Sequence, residues 1–448
     1  MSIRAIIVRH GQSSYNAQQK IQGRSDESIL TEKGIQDAQI VGDTLNQLDF
    51  AALYCSPLQR AKKTAEIIQE RLKNRPELKA SEQLREIDLP LWETLPKQEV
   101  STRFPEDYHC WKHRPHEFKM VLQTADGARE HYPVLSIYEQ AKQFWRSALT
   151  QHDNQTILIV AHNGINRALI MTALGIEPTR YHSIQQSNCC INVLNFSGNW
   201  GDPVQLESLN QTSHLGTPLP PPRPGHSGPR LLLVRHGETD WNRESRFQGI
   251  RDIPLNQNGK QQGTKAAQFL KEVDLDFAVT SPMLRPKETA EIILQHHSLV
   301  SLDLEPALAE ICHGLWEGKL ESEIEAAFPG LLQQWKDTPE TVQMPEGENL
   351  QQVWDRAIPS WDAIAERFSH EDQPQTGIVV AHDAINKVII CYLLGLSPAN
   401  FWNIKQGNGA VSVIDYPDGA AAAPVLQAIN LTVHLSSGIL DQTAAGAL

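Results

Sequence analysis

The segment SIRAIIVRHGQSSYN, residues 2–16, decides how the rest of the chain is read. A run of apolar and β-branched residues, AIIV, reads as a buried strand. It stops abruptly at Arg9-His10-Gly11, so a cation and an imidazole stand at the strand's carboxyl end. The same phrase returns as PRLLLVRHGETDWN at 229–242, with Arg235-His236-Gly237 after LLLV.

Working outward, every later landmark is also doubled. CSPLQRAKKTAEII (55–68) matches TSPMLRPKETAEII (280–293), and LREIDLPLWE (84–93) matches LAEICHGLWE (308–317). ILIVAHNGINRALI (157–170) matches GIVVAHDAINKVII (377–390), and LNQTSHL (209–215) matches INLTVHL (429–435). Constant order with a slowly shrinking offset describes a duplicated domain with small loop deletions. A period above 200 residues is too long for a solenoid or propeller. The sequence therefore predicts one domain over 1–215 and a second over 230–436. GTPLPPPRPGHSGP (216–229) reads as a stiff, extended Pro/Gly linker, and 437–448 as an unstructured tail.

In each half, strand-like runs alternate with helical patterns. ILIV and GIVV are strand runs like those before the two Arg-His-Gly phrases, and SPLQRAKKTAEIIQERL opens on a Ser-Pro helix-start signal. Strand then helix, repeated, predicts an α/β class: two duplicated three-layer domains, each a mostly parallel sheet flanked by helices. Ligands of such sheets sit beyond the carboxyl ends of the strands. Arg9, His10, His162, Arg235, His236 and His382 all fall there.

Composition narrows the function. The 448 residues carry a formal net charge of −13, which argues against nucleic-acid or anionic-membrane partners. No apolar run approaches transmembrane length, and no signal or transit peptide is expected before the opening strand. Cys55, Cys110, Cys189, Cys190, Cys312 and Cys391 show no C-x-x-C spacing, so reduced thiols in a cytoplasm are expected. His109, His113 and His116 in YHCWKHRPH (108–116) invite a metal reading. Yet the matching LLQQWKDTP (331–339) keeps only Trp335, Lys336 and Pro339, so the segment reads as a lid and no metal is expected. Trp111 and Trp335 read as packing residues.

Each half retains two arginines, two histidines and a glutamate in the same order: Arg9, His10, Arg60, Glu86 and His162, then Arg235, His236, Arg285, Glu310 and His382. This set suits phosphoryl transfer. Arginine forks neutralise the phosphate bidentately, and neutral imidazole is a competent nucleophile. A second histidine donates to the equatorial oxygens, while a carboxyl group protonates the departing alkoxide and later activates water. The glycine after the first histidine would let backbone approach the phosphate.

Both halves resemble the histidine phosphatase, or phosphoglycerate mutase-like, superfamily. The resemblance implies that His10 and His236 are phosphorylated, with Arg9, Arg60, Arg235 and Arg285 as phosphate clamp. It makes Asn16 and Asn242 further phosphate contacts, Glu86 and Glu310 proton donors, and His162 and His382 the second histidines. It implies no metal or organic cofactor. RHGQSSYN, IQGRSDESILTEKG, HYPV and QSNC in the first half are similar to plant 2-carboxy-D-arabinitol 1-phosphate phosphatases. The second half resembles the broader small-metabolite phosphatases. Glu86 and His162 stand 76 positions apart, Glu310 and His382 72, without the longer insertion of cofactor-dependent mutases. The expectation is a phosphatase of a small phosphorylated sugar or sugar acid. A phosphoglycerate mutase, or a chain with one catalytic and one anion-binding domain, are the alternatives.

Three departures bear on specificity. Gln12 replaces Glu238, Pro90 and Thr94 replace Gly314 and Gly318, and Asp383 replaces Asn163. The proline should stiffen and reshape the first acid loop. A carboxylate at 383 is unfavourable beside a dianion unless it turns away, toward Lys387.

Overall fold

A computed structural model describes residues 2–444 except 126, 224, 370–372 and 437. The chain forms two compact units, Met1–Thr217 and Pro218–Leu448.

In the first unit the strands are β1 (Ile3–Arg9), β2 (Ala52–Cys55), β3 (Leu78–Ala80), β4 (Met120–Thr124), β5 (Gly127–His131), β6 (Gln155–Ala161), β7 (Ile191–Phe196) and β8 (Val204–Gln211). Six of them form a sheet in the order β8-β7-β1-β6-β2-β3, and only β7 runs against the rest. The helices are α1 (Ser14–Ala17), α2 (Glu32–Leu45), α3 (Gln59–Arg71), α4 (Lys97–Arg103), α5 (Pro105–His113), α6 (Pro133–Leu149) and α7 (Asn163–Leu174). They flank the sheet, with α2 packed on α3 and α6 on α7. Ile6, Ile7 and Val8 of β1 and Leu158, Ile159 and Val160 of β6 are wholly buried, as near-continuous apolar runs in a parallel sheet require.

The second unit repeats this plan with β9 (Arg230–Arg235), β10 (Phe277–Thr280), β11 (Leu302–Leu304), β12 (Thr376–Ala381), β13 (Val411–Asp415) and β14 (Val425–Leu431). Their order is β11-β10-β12-β9-β13-β14, with β13 reversed. Its helices are α8 (Asp240–Arg243), α9 (Gln257–Leu270), α10 (Leu284–Ile293), α11 (Glu321–Ala327), α12 (Leu331–Asp337), α13 (Leu350–Arg367) and α14 (Asp383–Leu393). The β4–β5 hairpin of the first unit has no counterpart among its described residues.

Two segments differ from the sequence expectation. The Pro/Gly stretch from Pro218 onward belongs to the second unit rather than standing free as a spacer. Leu219, an apolar residue within it, enters the core beside Leu270 and Leu232, and the Pro220 carbonyl accepts from Arg230. The stretch read as an unstructured tail is likewise packed over its described part. The Asp441 side chain is 1% exposed, ion-paired to Lys405 at 3.5 Å and hydrogen-bonded to Thr443 and Asn430. The buried Asp441 carboxylate and the buried Ile439 side chain anchor a segment that its small neighbours would not. Residues 437 and 445–448 of that expectation lie outside the described residues.

Candidate active site

Parallel pairing builds the site. Arg9 ends β1 opposite Ala161, the last residue of β6, and the His10 N–H donates to the Ala161 carbonyl at 2.9 Å. His10 and His162 therefore emerge side by side, their ring centroids 5.1 Å apart. The same register, Arg235 opposite Ala381, sets His236 and His382 at 5.3 Å.

The tautomer of the first histidine follows from its partner. His10 Nδ1 lies 2.7 Å from the Gly11 carbonyl, which only accepts, so Nδ1 carries the proton and Nε2 keeps its lone pair. His236 is tied identically to the Gly237 carbonyl at 2.7 Å. Burial, reinforced by Arg60 and Arg9, holds the His10 pKa well below the usual imidazole range; burial with Arg285 and Arg235 does the same for His236. Both rings are neutral at physiological pH. Packing also requires glycine at position 11. A Cβ there would lie 2.3 Å from the Gly34 carbonyl oxygen, so the glycine lets α2 pack against the turn.

The arginines are held by backbone carbonyls. Arg60 donates to the Ser25 and Gly23 carbonyls at 2.8 and 2.9 Å, and Arg9 to the Gln186 carbonyl at 2.8 Å. The Nε atoms of both are buried without a partner among the described residues. A buried guanidinium with an unused donor is a place for an anion. Arg285 repeats the Arg60 contacts, on Arg251 and Gly249, but its Nε donates to His236 Nε2 at 3.2 Å. Burial first, with Arg235 adding to it, brings Arg285 down to about 10.

His162 and His382 each set Nε2 against a serine hydroxyl, Ser56 at 2.8 Å and Ser281 at 2.9 Å, and their Nδ1 atoms are buried without a partner among the described residues. The Ser-Pro pair thus differs from the expected helix-start signal. Helix α3 begins at Gln59 after Leu58, and Ser56 positions the second histidine instead.

Glu86 accepts from the Ile87, Gly164 and Ile165 amides at 2.8–3.1 Å, the last two at the N-terminus of α7. Glu310 accepts from Ile311 at 3.0 Å, and burial raises its pKa. Asn16 receives its hydrogen bonds on Oδ1, from Ser13 and from Asn188 Nδ2 at 3.2 Å. Its amide nitrogen is thereby turned outward. Asn242 is held in the same way by Thr239 and by Asn408 at 3.3 Å.

All twelve residues expected from the sequence thus gather in two clusters of six. Sequence reasoning missed Asn188 and Asn408, which also donate to the His10 and His236 carbonyls. Their doubled QSN and QGN phrases were the available signal. It also missed Glu93 and Glu317. These carboxylates accept from the amides of Arg24 and Ile250 and so hold the loops whose carbonyls grip Arg60 and Arg285.

The acid loops differ as their residues dictate. Gly314 adopts φ +55°, which the proline ring at 90 forbids. Thr94, however, keeps the left-handed backbone of Gly318, at φ +69° against +80°. A β-branched residue there costs about 1–2 kcal/mol, against about 0.5–1 kcal/mol for the greater unfolded freedom of glycine. Thr94→Gly should therefore stabilise the full chain by about 0.5–1 kcal/mol in urea unfolding; an unchanged or lower midpoint contradicts the strain. On α5 the His109 and His113 rings lie 4.2 Å apart and tilted, while Trp111 packs edge-on against Trp92 and Phe118. Trp335 is buried against Phe401 and Trp402.

The family model of the histidine phosphatase superfamily (branch 1) matches residues 5–210 and again 231–430. The chain belongs to the histidine phosphatase superfamily. Its relatives include 2-carboxy-D-arabinitol-1-phosphatase of Triticum aestivum, 31% identical over 96% of this chain and 86% of that protein. A probable 2-carboxy-D-arabinitol-1-phosphatase of Arabidopsis thaliana is 33% identical over 96% and 88%. Phosphoserine phosphatase 1 of Hydrogenobacter thermophilus is 32% identical, covering 46% of this chain and 94% of its own. As a histidine phosphatase, the chain is an enzyme with two family domains, in agreement with the repeat read from the sequence. Among the described residues no helix is long and apolar enough to cross a membrane.

Proposed function

We propose that the protein hydrolyses small phosphomonoesters, sugar or sugar-acid phosphates, through a phosphohistidine in each domain. The observation that carries this reading is the paired histidines at 5.1 and 5.3 Å, the first of each pair tied through Nδ1 so that the lone pair lies on Nε2. In the first domain, His10 Nε2 attacks phosphorus while the bond to the leaving oxygen breaks. Arg9 and Arg60 neutralise the phosphoryl oxygens, and the Asn16 amide N–H₂ donates to them. Ser56 donates to His162 Nε2, which leaves Nδ1–H of His162 as a further donor. Glu86 protonates the departing alkoxide, after releasing an α7 amide. Water, giving its proton to the Glu86 carboxylate, then attacks phosphorus; the N–P bond breaks, and phosphate and free His10 result. In the second domain His236, Arg235, Arg285, Asn242, Glu310 and His382 take the same parts. No step needs a metal or organic cofactor. The substrate class is supported by the relatives over most of the chain, which are named for 2-carboxy-D-arabinitol 1-phosphate. The six free cysteines support a reducing, cytoplasmic setting.

A second reading has its own observation. Arg285 occupies the His236 lone pair, and Asp383 ion-pairs with Arg235 at 3.1 Å, so the second domain is the better candidate for an anion-binding module without turnover. Phosphate release from a panel of sugar, sugar-acid and glycerate phosphates separates the readings, using wild type, His10→Ala and His236→Ala. Substrate-specific losses in both variants are expected. Loss of all activity in His10→Ala alone supports the second reading. Interconversion of phosphoglycerates without phosphate release overturns both in favour of a mutase.

A further inference from the structure

The two sites differ in the surroundings of one buried cation, Arg167 on α7 and Lys387 on α14. Gly164 and Arg167 are three residues apart and share a face of α7. On that face lies the Glu86 carboxylate: a Cβ on Gly164 would meet Glu86 Oε1 at 2.5 Å and the Tyr181 hydroxyl at 2.7 Å. Arg167 is only 8% exposed and its Nε has no partner among the described residues. Its guanidinium lies over the Tyr181 ring at 5.7 Å, with NH1 3.3 Å from His182 Nδ1. Arginine only donates, so His182 Nδ1 accepts; its Nε2–H then donates to the Trp111 carbonyl at 2.8 Å, and the ring is neutral. No carboxylate forms an ion pair with Arg167 among the described residues. It lies close enough to the clamp to act on the Arg9 charge, and Glu86 acts on it in turn.

The second domain closes the same place. The offset of 220 that relates His162 to His382 maps Arg167 to Lys387, Asn163 to Asp383, Tyr181 to Phe401 and His182 to Trp402. Lys387 Nζ sits 2.7 Å from Asp383 Oδ2, and over the Phe401 and Trp402 rings at 4.7 and 4.6 Å. Asp383 Oδ1 takes Arg235 at 3.1 Å. Here the cation is already neutralised by a built-in carboxylate, whereas Asn163 in the first domain only donates to the Gln186 carbonyl at 3.2 Å.

We propose that Arg167 is a second anion subsite, which binds a carboxylate carried by the phosphomonoester, and that Asp383 fills the equivalent position of the second domain. The first domain then selects phosphorylated acids and the second selects phosphomonoesters with uncharged remainders. This rests on the phosphatase reading above and adds a division of substrates between its two sites.

The test compares 3-phosphoglycerate with glycerol 1-phosphate, a pair that differs by the carboxylate. In full-length His236→Ala, which leaves the first site alone, Arg167→Gln should lower the ratio of the two kcat/KM values about thirtyfold, mainly through KM, as for a charge-assisted hydrogen bond. Arg167→Lys should restore part of it. In full-length His10→Ala, Asp383→Asn should raise the same ratio at the second site. Equal losses on both substrates, or no effect of Asp383→Asn, overturn the proposal. Calorimetric binding of both probes to His10→Ala/His236→Ala, with and without Arg167→Gln, keeps the two readings apart. A carboxylate preference that depends on Arg167 without any phosphate release defeats the phosphatase reading and leaves the subsite. Turnover without that preference does the reverse.

Discussion

Full-length His10→Ala/His236→Ala should release phosphate at least about 10⁴-fold more slowly than wild type from every substrate, because no other side chain replaces either nucleophile. Each ring is neutral with its lone pair on Nε2, since Nδ1 is committed to a glycine carbonyl; that of His236 accepts from Arg285. Burial and two flanking arginines press each imidazole toward that neutral form. The covalent intermediate makes the prediction specific to residues. Acid-sensitive label from a ³²P-phosphomonoester should appear on His236 in His10→Ala, on His10 in His236→Ala, and on neither in the double variant. Label that survives in the double variant would assign the intermediate to another residue. Label confined to His10 in wild type would leave His236 as a binding histidine, the outcome that its contact with Arg285 Nε favours.

Why so much of this site was legible follows from where its residues stand in the fold. Arg9, His10 and His162 directly follow apolar runs, and parallel strands place the residues after their carboxyl ends side by side. Strand recognition alone therefore brought them together, and the doubling of every landmark separated signal from accident. The supporting contacts were illegible for a physical reason. Asn188, Asn408, Glu93 and Glu317 act from loops, on groups of distant segments, and no periodicity marks them; only the doubling of their phrases does. Ser56 looked like a helix cap because its distant partner, His162, is 106 positions away. The packing demand on Gly11 was invisible for a similar reason: the neighbour that forbids a side chain there is Gly34, on helix α2. The described part of the tail was misjudged because composition cannot reveal that Ile439 and Asp441 are buried there. The Asp383 expectation was half right. Its carboxylate does reach Lys387, but it also holds Arg235, so the charge turns toward the phosphate clamp as well as away from it.

Glu310→Gln should lower kcat of the second site about 10²–10³-fold for an alkyl phosphate, and far less for p-nitrophenyl phosphate, whose leaving group departs without a proton. The measurement uses full-length His10→Ala, so that the first site is silent. The pH dependence gives the sign. Burial raises the Glu310 pKa and Asp383 adds to it, while Arg285 and Arg235 oppose them. Its neutral, proton-donating form therefore persists to higher pH than an ordinary carboxyl group allows. A bound phosphate dianion extends this further, by adding negative charge nearby. His236, displaced well below the usual range, stays unprotonated across the same interval. For the alkyl substrate, kcat should thus hold steady while Glu310 is protonated and fall as pH rises through its raised pKa. In Glu310→Gln that alkaline limb should vanish, leaving a low, flat profile. With Asp383→Asn the limb should move to lower pH, because one charge that raises the pKa is gone. An alkaline limb that survives Glu310→Gln at its original position would belong to another group, and Glu310 would then not be the proton donor.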